Sequence, residues 1–160
     1  MLILSFILIA LGVGADQAVK YLIVQNLKPD GTISLIPGLL DITYVENTGV
    51  AFGMLPGHLW IMVAVTSVFI LIMLGVLIFY RKHTALSRLS MILIIAGGIG
   101  NLIDRVLLGY VVDYIQVSFF PPVFNLADSF VVVGVILLLV YVIFCTGKDD
   151  GREYVIRSRR

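Results

Sequence analysis

From Leu59 to Tyr80 the chain runs 22 residues without a single charged side chain. A helix that crosses the hydrocarbon core of a bilayer needs about 20 predominantly apolar residues, since each residue adds about 1.5 Å of rise. Three further apolar stretches accompany this one. Leu2 to Ala15 carries no charge and continues past Asp16 and Lys20 to about Leu27. Leu89 to Ile103 stops at Asp104 and Arg105, and Val123 to Thr146 has Asp128 near its start as its only charge. Composition agrees: 60% of the 160 residues are hydrophobic and 13% are charged, whereas a soluble domain has about 45–50% apolar and about 25% charged residues. The expected architecture is therefore one membrane domain over residues 1–160, an all-α bundle of four transmembrane helices.

Basic residues orient such a bundle, because positively charged loops stay in the cytoplasm. Arg81, Lys82 and Arg88 lie between spans two and three, and Lys148, Arg152, Arg157, Arg159 and Arg160 follow span four. With four spans, that loop and both termini share one side, which is predicted to be cytoplasmic; a cytoplasmic tail is expected over about 147–160. Only Lys20, Lys28 and Arg105 fall toward the other side, eight against three. The first span lacks a basic start, and Asp16, Gln17 and Lys20 interrupt what must continue as helix, so it reads as a retained span rather than a cleaved leader. The segment from about 28 to 57 is punctuated by Pro29, Gly31, Pro37, Gly38, Gly49, Gly53, Pro56 and Gly57. Between these turns, Ile33–Ile36 and Leu40–Val45 are rich in β-branched residues and predict strands of a small extracytoplasmic β-sheet cradle between spans one and two.

A net charge of +1 excludes a nucleic-acid partner, which needs a concentrated basic surface. His58 and His83 have no Cys or His neighbour at ligand spacing, so no metal site is expected. The single cysteine, Cys145, excludes an internal disulfide.

The remaining polar residues converge on the outer end of the bundle. Asp16 and Lys20, four apart, are in the favourable order for an ion pair. Asn101 lies three and four residues before Asp104 and Arg105 and shares their face. Asn125 and Asp128 open span four. Paired charges closing helix ends would account for Asp16 with Lys20 and for Asp104 with Arg105, and helix-terminal hydrogen bonding would account for Asn101 and Asn125. Asp113 and Asp128 resist that reading, because neither has a basic residue within four positions. Spans three and four run antiparallel, so these two carboxylates, 15 residues apart, can meet. Two carboxyls at close range in a weakly polar site share a proton. This is the pattern of general acid–base catalysis, in which one member activates water and the other polarises a carbonyl. The dipole at the start of span four favours Asp128 as the ionised base and leaves the proton on Asp113.

Five segments carry a resemblance: Asp-Gln-Ala-Val-Lys (16–20), Glu-Asn-Thr-Gly-Val-Ala-Phe-Gly (46–53), Gly-Gly-Ile-Gly-Asn-Leu-Ile-Asp-Arg (97–105), Val-Val-Asp-Tyr (111–114) and Phe-Asn-Leu-Ala-Asp-Ser (124–129). In this order they resemble the successive motifs of the lipoprotein signal peptidases (signal peptidase II), aspartyl proteases of the bacterial inner membrane. The resemblance implies cleavage of prolipoproteins immediately before a cysteine that carries diacylglycerol, without metal or organic cofactor. It implies Asp113 and Asp128 as the catalytic pair. Asp16, Lys20, Asn47, Asn101, Arg105 and Asn125 would line or order the substrate pocket, with Asp104 in support. Lipid and prolipoproteins are the partners it implies, and a monomer is expected. Two other classes compete: a small ion- or proton-coupled transporter, since intramembrane carboxylates also mark ion pathways, and a non-catalytic assembly subunit.

Overall fold

A computed structural model describes residues 1–28, 31–49 and 59–145. The expected tail of about 147–160, with its five basic residues, lies outside the described residues, as do Gly53 and His58. Four helices are long and apolar enough to cross a membrane: α1 (Leu2–Leu27), α2 (Leu59–Phe79), α3 (Ala85–Leu107) and α4 (Leu126–Phe144). Their bounds follow the apolar stretches, except that α3 absorbs its flanking polar residues at both ends. In the most apolar part of α3, 56% of residues are buried, against 17% in each of the others. α3 is therefore the central post, with α1, α2 and α4 packed around it and their remaining faces left to lipid.

Small residues set the close contacts, as is usual where lipid provides no hydrophobic drive between helices. A Cβ on Gly97 would run into the carbonyl of Ala127 and come within 2.8 Å of Val131 Cγ2. A Cβ on Gly134 would lie 2.8 Å from Ile94 Cγ1. These two glycines let α3 and α4 approach backbone to backbone. Ala96 and Gly100 pack within the chain, Ala96 against Gly12 and Gly100 against the Asp16 carboxylate.

The sheet is larger than the sequence reading expects. It has four antiparallel strands in the order β1-β2-β3-β4: β1 (Ile33–Ile36), β2 (Leu40–Asn47), β3 (Val111–Val117) and β4 (Phe120–Phe124). Half of it comes from between α3 and α4, which corrects the expectation of a cradle formed only between the first two spans. Val111–Tyr114 are buried on both faces, which erases the alternation that marks a strand from sequence. Pro121 and Pro122 sit in β4, an edge strand, where a missing backbone donor is tolerated. Gly109, at φ 83, lets the chain leave α3: the N–H groups of Leu108 and Gly109 bond back to the carbonyls of Asp104 and Arg105. Four residues later the chain reaches Asp113.

Candidate active site

The start of α4 organises the site. The first three N–H groups of a helix have no partner within it, and here each finds one elsewhere. Leu126 N–H donates to the Tyr114 hydroxyl at 3.1 Å, Ala127 N–H to Asp16 Oδ1 at 2.9 Å, and Asp128 N–H to Asn125 Oδ1 at 2.8 Å. Asn125 is the N-cap, and Asp128 Oδ2 in return accepts the Asn125 N–H at 3.2 Å, closing a capping box. The cap thus fixes the Asp128 side chain in one rotamer. Burial of the Tyr114 phenol pushes it up to about 12, so the hydroxyl that faces Leu126 keeps its proton.

Asp113 and Asp128 come together through two asparagines. Asn125 Nδ2 donates to Asp113 Oδ1 at 2.6 Å and to Asn101 Oδ1 at 3.1 Å, while Asn101 Nδ2 donates to Asp128 Oδ1 at 2.7 Å. The second oxygen of Asp113 accepts from Asn47 Nδ2 at 2.8 Å. This bond follows from strand register. Val45 pairs with Asp113 and Asn47 with Val111, so Asn47 is the diagonal neighbour on the same face. Asp113 is 2% exposed, and burial is the largest of the effects that raise its carboxyl from the ordinary 3.8 to about 6. The charge of Asp128 pushes the same way, against hydrogen bonds from Asn47 and Asn125 that favour the ionised form.

Behind the asparagines lies a buried ionic cluster. Lys20 Nζ meets Asp16 Oδ2 at 2.9 Å, Asp104 Oδ2 at 2.8 Å and Asn101 Oδ1 at 2.9 Å. The Asp16–Lys20 pair expected from spacing is present. The Asp104–Arg105 pair is not: consecutive helical residues point about 100° apart, so Asp104 turns inward to Lys20 while Arg105 turns to the cavity and donates to the Asn101 carbonyl at 3.4 Å. Gln17 Nε2 secures the other oxygen of Asp104 at 2.8 Å and the Gly100 carbonyl at 3.1 Å. Asp104 Oδ2 also accepts the Val112 N–H at 3.1 Å, which ties β3 to α3 beside Asp113. Gln17 and Tyr114 were missed as site residues. Both stand inside quoted segments, Gln17 in the first and Tyr114 in the fourth, but the reach of Tyr114 to the start of α4 follows only once β3 is known to be a strand.

A cavity of about 890 Å³ opens from this cluster. Asn47, Asn101, Arg105, Asp113 and Asp128 line its polar end; Val65, Phe69, Ile94, Val131, Val132 and Val133 line the apolar remainder between α2, α3 and α4. Asp16, Lys20 and Asp104 stand behind the wall rather than on it. Among the described residues the buried charged side chains, Asp16, Lys20, Asp104 and Asp113, all belong to this one end of the bundle, a distribution that gives the transporter reading no support. Also among the described residues, no group of His, Cys, Asp and Glu is arranged to hold a metal ion.

A family profile described as signal peptidase (SPase) II matches residues 8–144. A lipoprotein signal peptidase of Clostridioides difficile is 44% identical over 150 residues, covering 91% of this chain and 99% of its own. One from Caldanaerobacter subterraneus is 42% identical over 148 residues, with 90% and 99% covered. Among solved structures, a bacterial membrane enzyme obtained by the in meso method superposes with a TM-score of 0.81 at 33% identity, over 87% of each chain. A second such structure gives 0.80 at 33% identity, over 89% of this chain and 94% of the other. With four helices able to span a membrane and matches along nearly the whole chain, this multi-pass membrane protein belongs to the signal peptidase II family.

Proposed function

We propose that the chain is an aspartic-type endopeptidase that removes signal peptides from diacylglyceryl-modified prolipoproteins, cutting before the lipidated cysteine. The observation that carries this reading is the pair of carboxylates, Asp113 and Asp128, opening on one cavity and bridged by Asn101 and Asn125. In this reading Asp113 holds the resting proton, in keeping with the burial that lifts its carboxyl to about 6. Asp128, at the positive end of α4, is the ionised base. Asp128 takes a proton from water as the water oxygen attacks the scissile carbonyl carbon, and Asp113 gives its proton to the carbonyl oxygen. On collapse Asp128 returns its proton to the leaving nitrogen, the C–N bond breaks, and Asp113 recovers its own.

Asn47, Asn101, Arg105 and Asn125 hold the substrate and the pair in register, and Asp16, Lys20 and Asp104 order that pocket from behind. The cavity opens between spans, so a signal helix and acyl chains already in the bilayer enter sideways without leaving lipid. The basic-residue asymmetry supports an inner-membrane protein with both termini cytoplasmic, which sets the sheet and the carboxylates at the extracytoplasmic face. One chain suffices for the site. The test is incubation of the purified protein, and of its Asp113→Asn and Asp128→Asn variants, with a lipidated and an unlipidated prolipoprotein. Only the lipidated substrate is cut, and only by the unaltered protein; cleavage by either variant at an undiminished rate overturns the assignment.

A further inference from the structure

The α2 wall of the cavity consists of Val65, Thr66 and Phe69, and Thr66 is its single polar member among the described residues. Its depth follows from packing. Gly98 of α3 is in contact range of Ile70 of α2, where a Cβ on Gly98 would lie 3.1 Å from Ile70 Cγ1. The two helices are antiparallel neighbours. Moving outward from that contact by four residues on α2 reaches Thr66, about 6 Å along the axis, and by three residues on α3 reaches Asn101, about 4.5 Å along. Thr66 is therefore level with Asn101, which holds Asp128 at 2.7 Å, and faces it across the cavity.

A helical threonine ordinarily returns its hydroxyl to the carbonyl one turn earlier. The Thr66 hydroxyl makes no such bond and none to any other described residue. A donor without a protein partner that opens onto an apolar cavity is available to an acceptor that arrives with the ligand.

We infer that Thr66 is a substrate-binding residue whose hydroxyl donates to an ester carbonyl of the diacylglyceryl group. The inference rests on the proposed function and deepens it. The peptide already has Asn47, Asn101 and Arg105 within the polar end. The acyl chains must pass from that end onto Val65, Phe69 and Val131–Val133, and the ester carbonyls lie at this crossing. In hydrocarbon they would find no donor, and Thr66 supplies one.

The test uses two lipidated substrates that differ only in linkage, one with ester-bound acyl chains and one with ether-bound alkyl chains, on the full-length protein. Thr66→Val keeps shape and removes the donor; Thr66→Ser keeps the donor. Loss of one neutral hydrogen bond raises KM for the ester substrate about three- to tenfold in Thr66→Val with kcat nearly unchanged, and Thr66→Ser restores it. The unaltered protein shows the same rise on the ether substrate, where Thr66→Val adds nothing further. Equal kinetics of Thr66→Val and the unaltered protein on the ester substrate overturn the inference, as does an equal loss on both linkages. Failure of the unaltered protein to cut either lipidated substrate would instead refute the proposed function.

Discussion

Replacing Lys20 by methionine removes one buried cation and leaves two carboxylates facing each other. Lys20 is 3% exposed and Asp16 and Asp104 are 0% and 2% exposed, so no water is at hand to take over. Its ammonium spends its donors on Asp16, Asp104 and Asn101, all between 2.8 and 2.9 Å. Removing one partner from a buried ion pair costs about 3–5 kcal/mol, because the stranded charge keeps its desolvation penalty. In a chain of this size each kcal/mol lowers the melting temperature by roughly 2–4 °C, so the fall is roughly 6–20 °C. Thermal unfolding in detergent micelles reads it directly. Turnover falls as well, since Asn101 loses the contact that orients its amide toward Asp128. Adding Asp104→Asn to the methionine variant removes one stranded charge, and part of the lost stability returns. A melting temperature within 2 °C of the unaltered protein, or no recovery in the double variant, would refute the claim that Lys20 compensates both carboxylates.

The Asp113 carboxyl, raised to about 6, stabilises the fold fully below its unfolded value near 3.8 and loses that contribution as pH rises through 6. Unfolding followed from pH 4 to pH 8 shows a decline of roughly 2–3 kcal/mol that Asp113→Asn lacks. Gly97→Ala presses a methyl group onto the Ala127 carbonyl in the first turn of α4, with Val131 Cγ2 of the next turn 2.8 Å away. It costs about 1–3 kcal/mol and lowers kcat by displacing Asp128, whereas Gly14→Ala, with nothing within 4 Å of the new carbon, leaves both stability and turnover near the original values.

Much of the site was legible because its signals are local. A run of apolar residues declares a membrane helix by its length, and α2 begins and ends within a residue of the stretch that announces it. Helical spacing brought Asp16 to Lys20 and placed Asp128 in the first turn of α4. The absence of basic neighbours singled out Asp113 and Asp128, which the fold then opened onto one cavity. Where two local readings competed, the outcome depended on direction in space. Asp104 and Arg105 are neighbours in sequence yet point to different partners, and only the position of α1 decides that Lys20 is the partner of Asp104.

The amino-acid order alone thus determined four spans, one polar end and two unpaired carboxylates, since each depends on chain length, periodicity or charge within a few residues. Tertiary structure alone decided that Val111–Phe124 completes the sheet, that Asp16 and Tyr114 cap a helix more than a hundred and a dozen residues away respectively, and that Thr66 and Asn101 line one cavity. Those contacts are set by how closely helices without bulk at Gly97, Gly100 and Gly134 can approach one another. That distance belongs to the packed bundle and to no single segment of it.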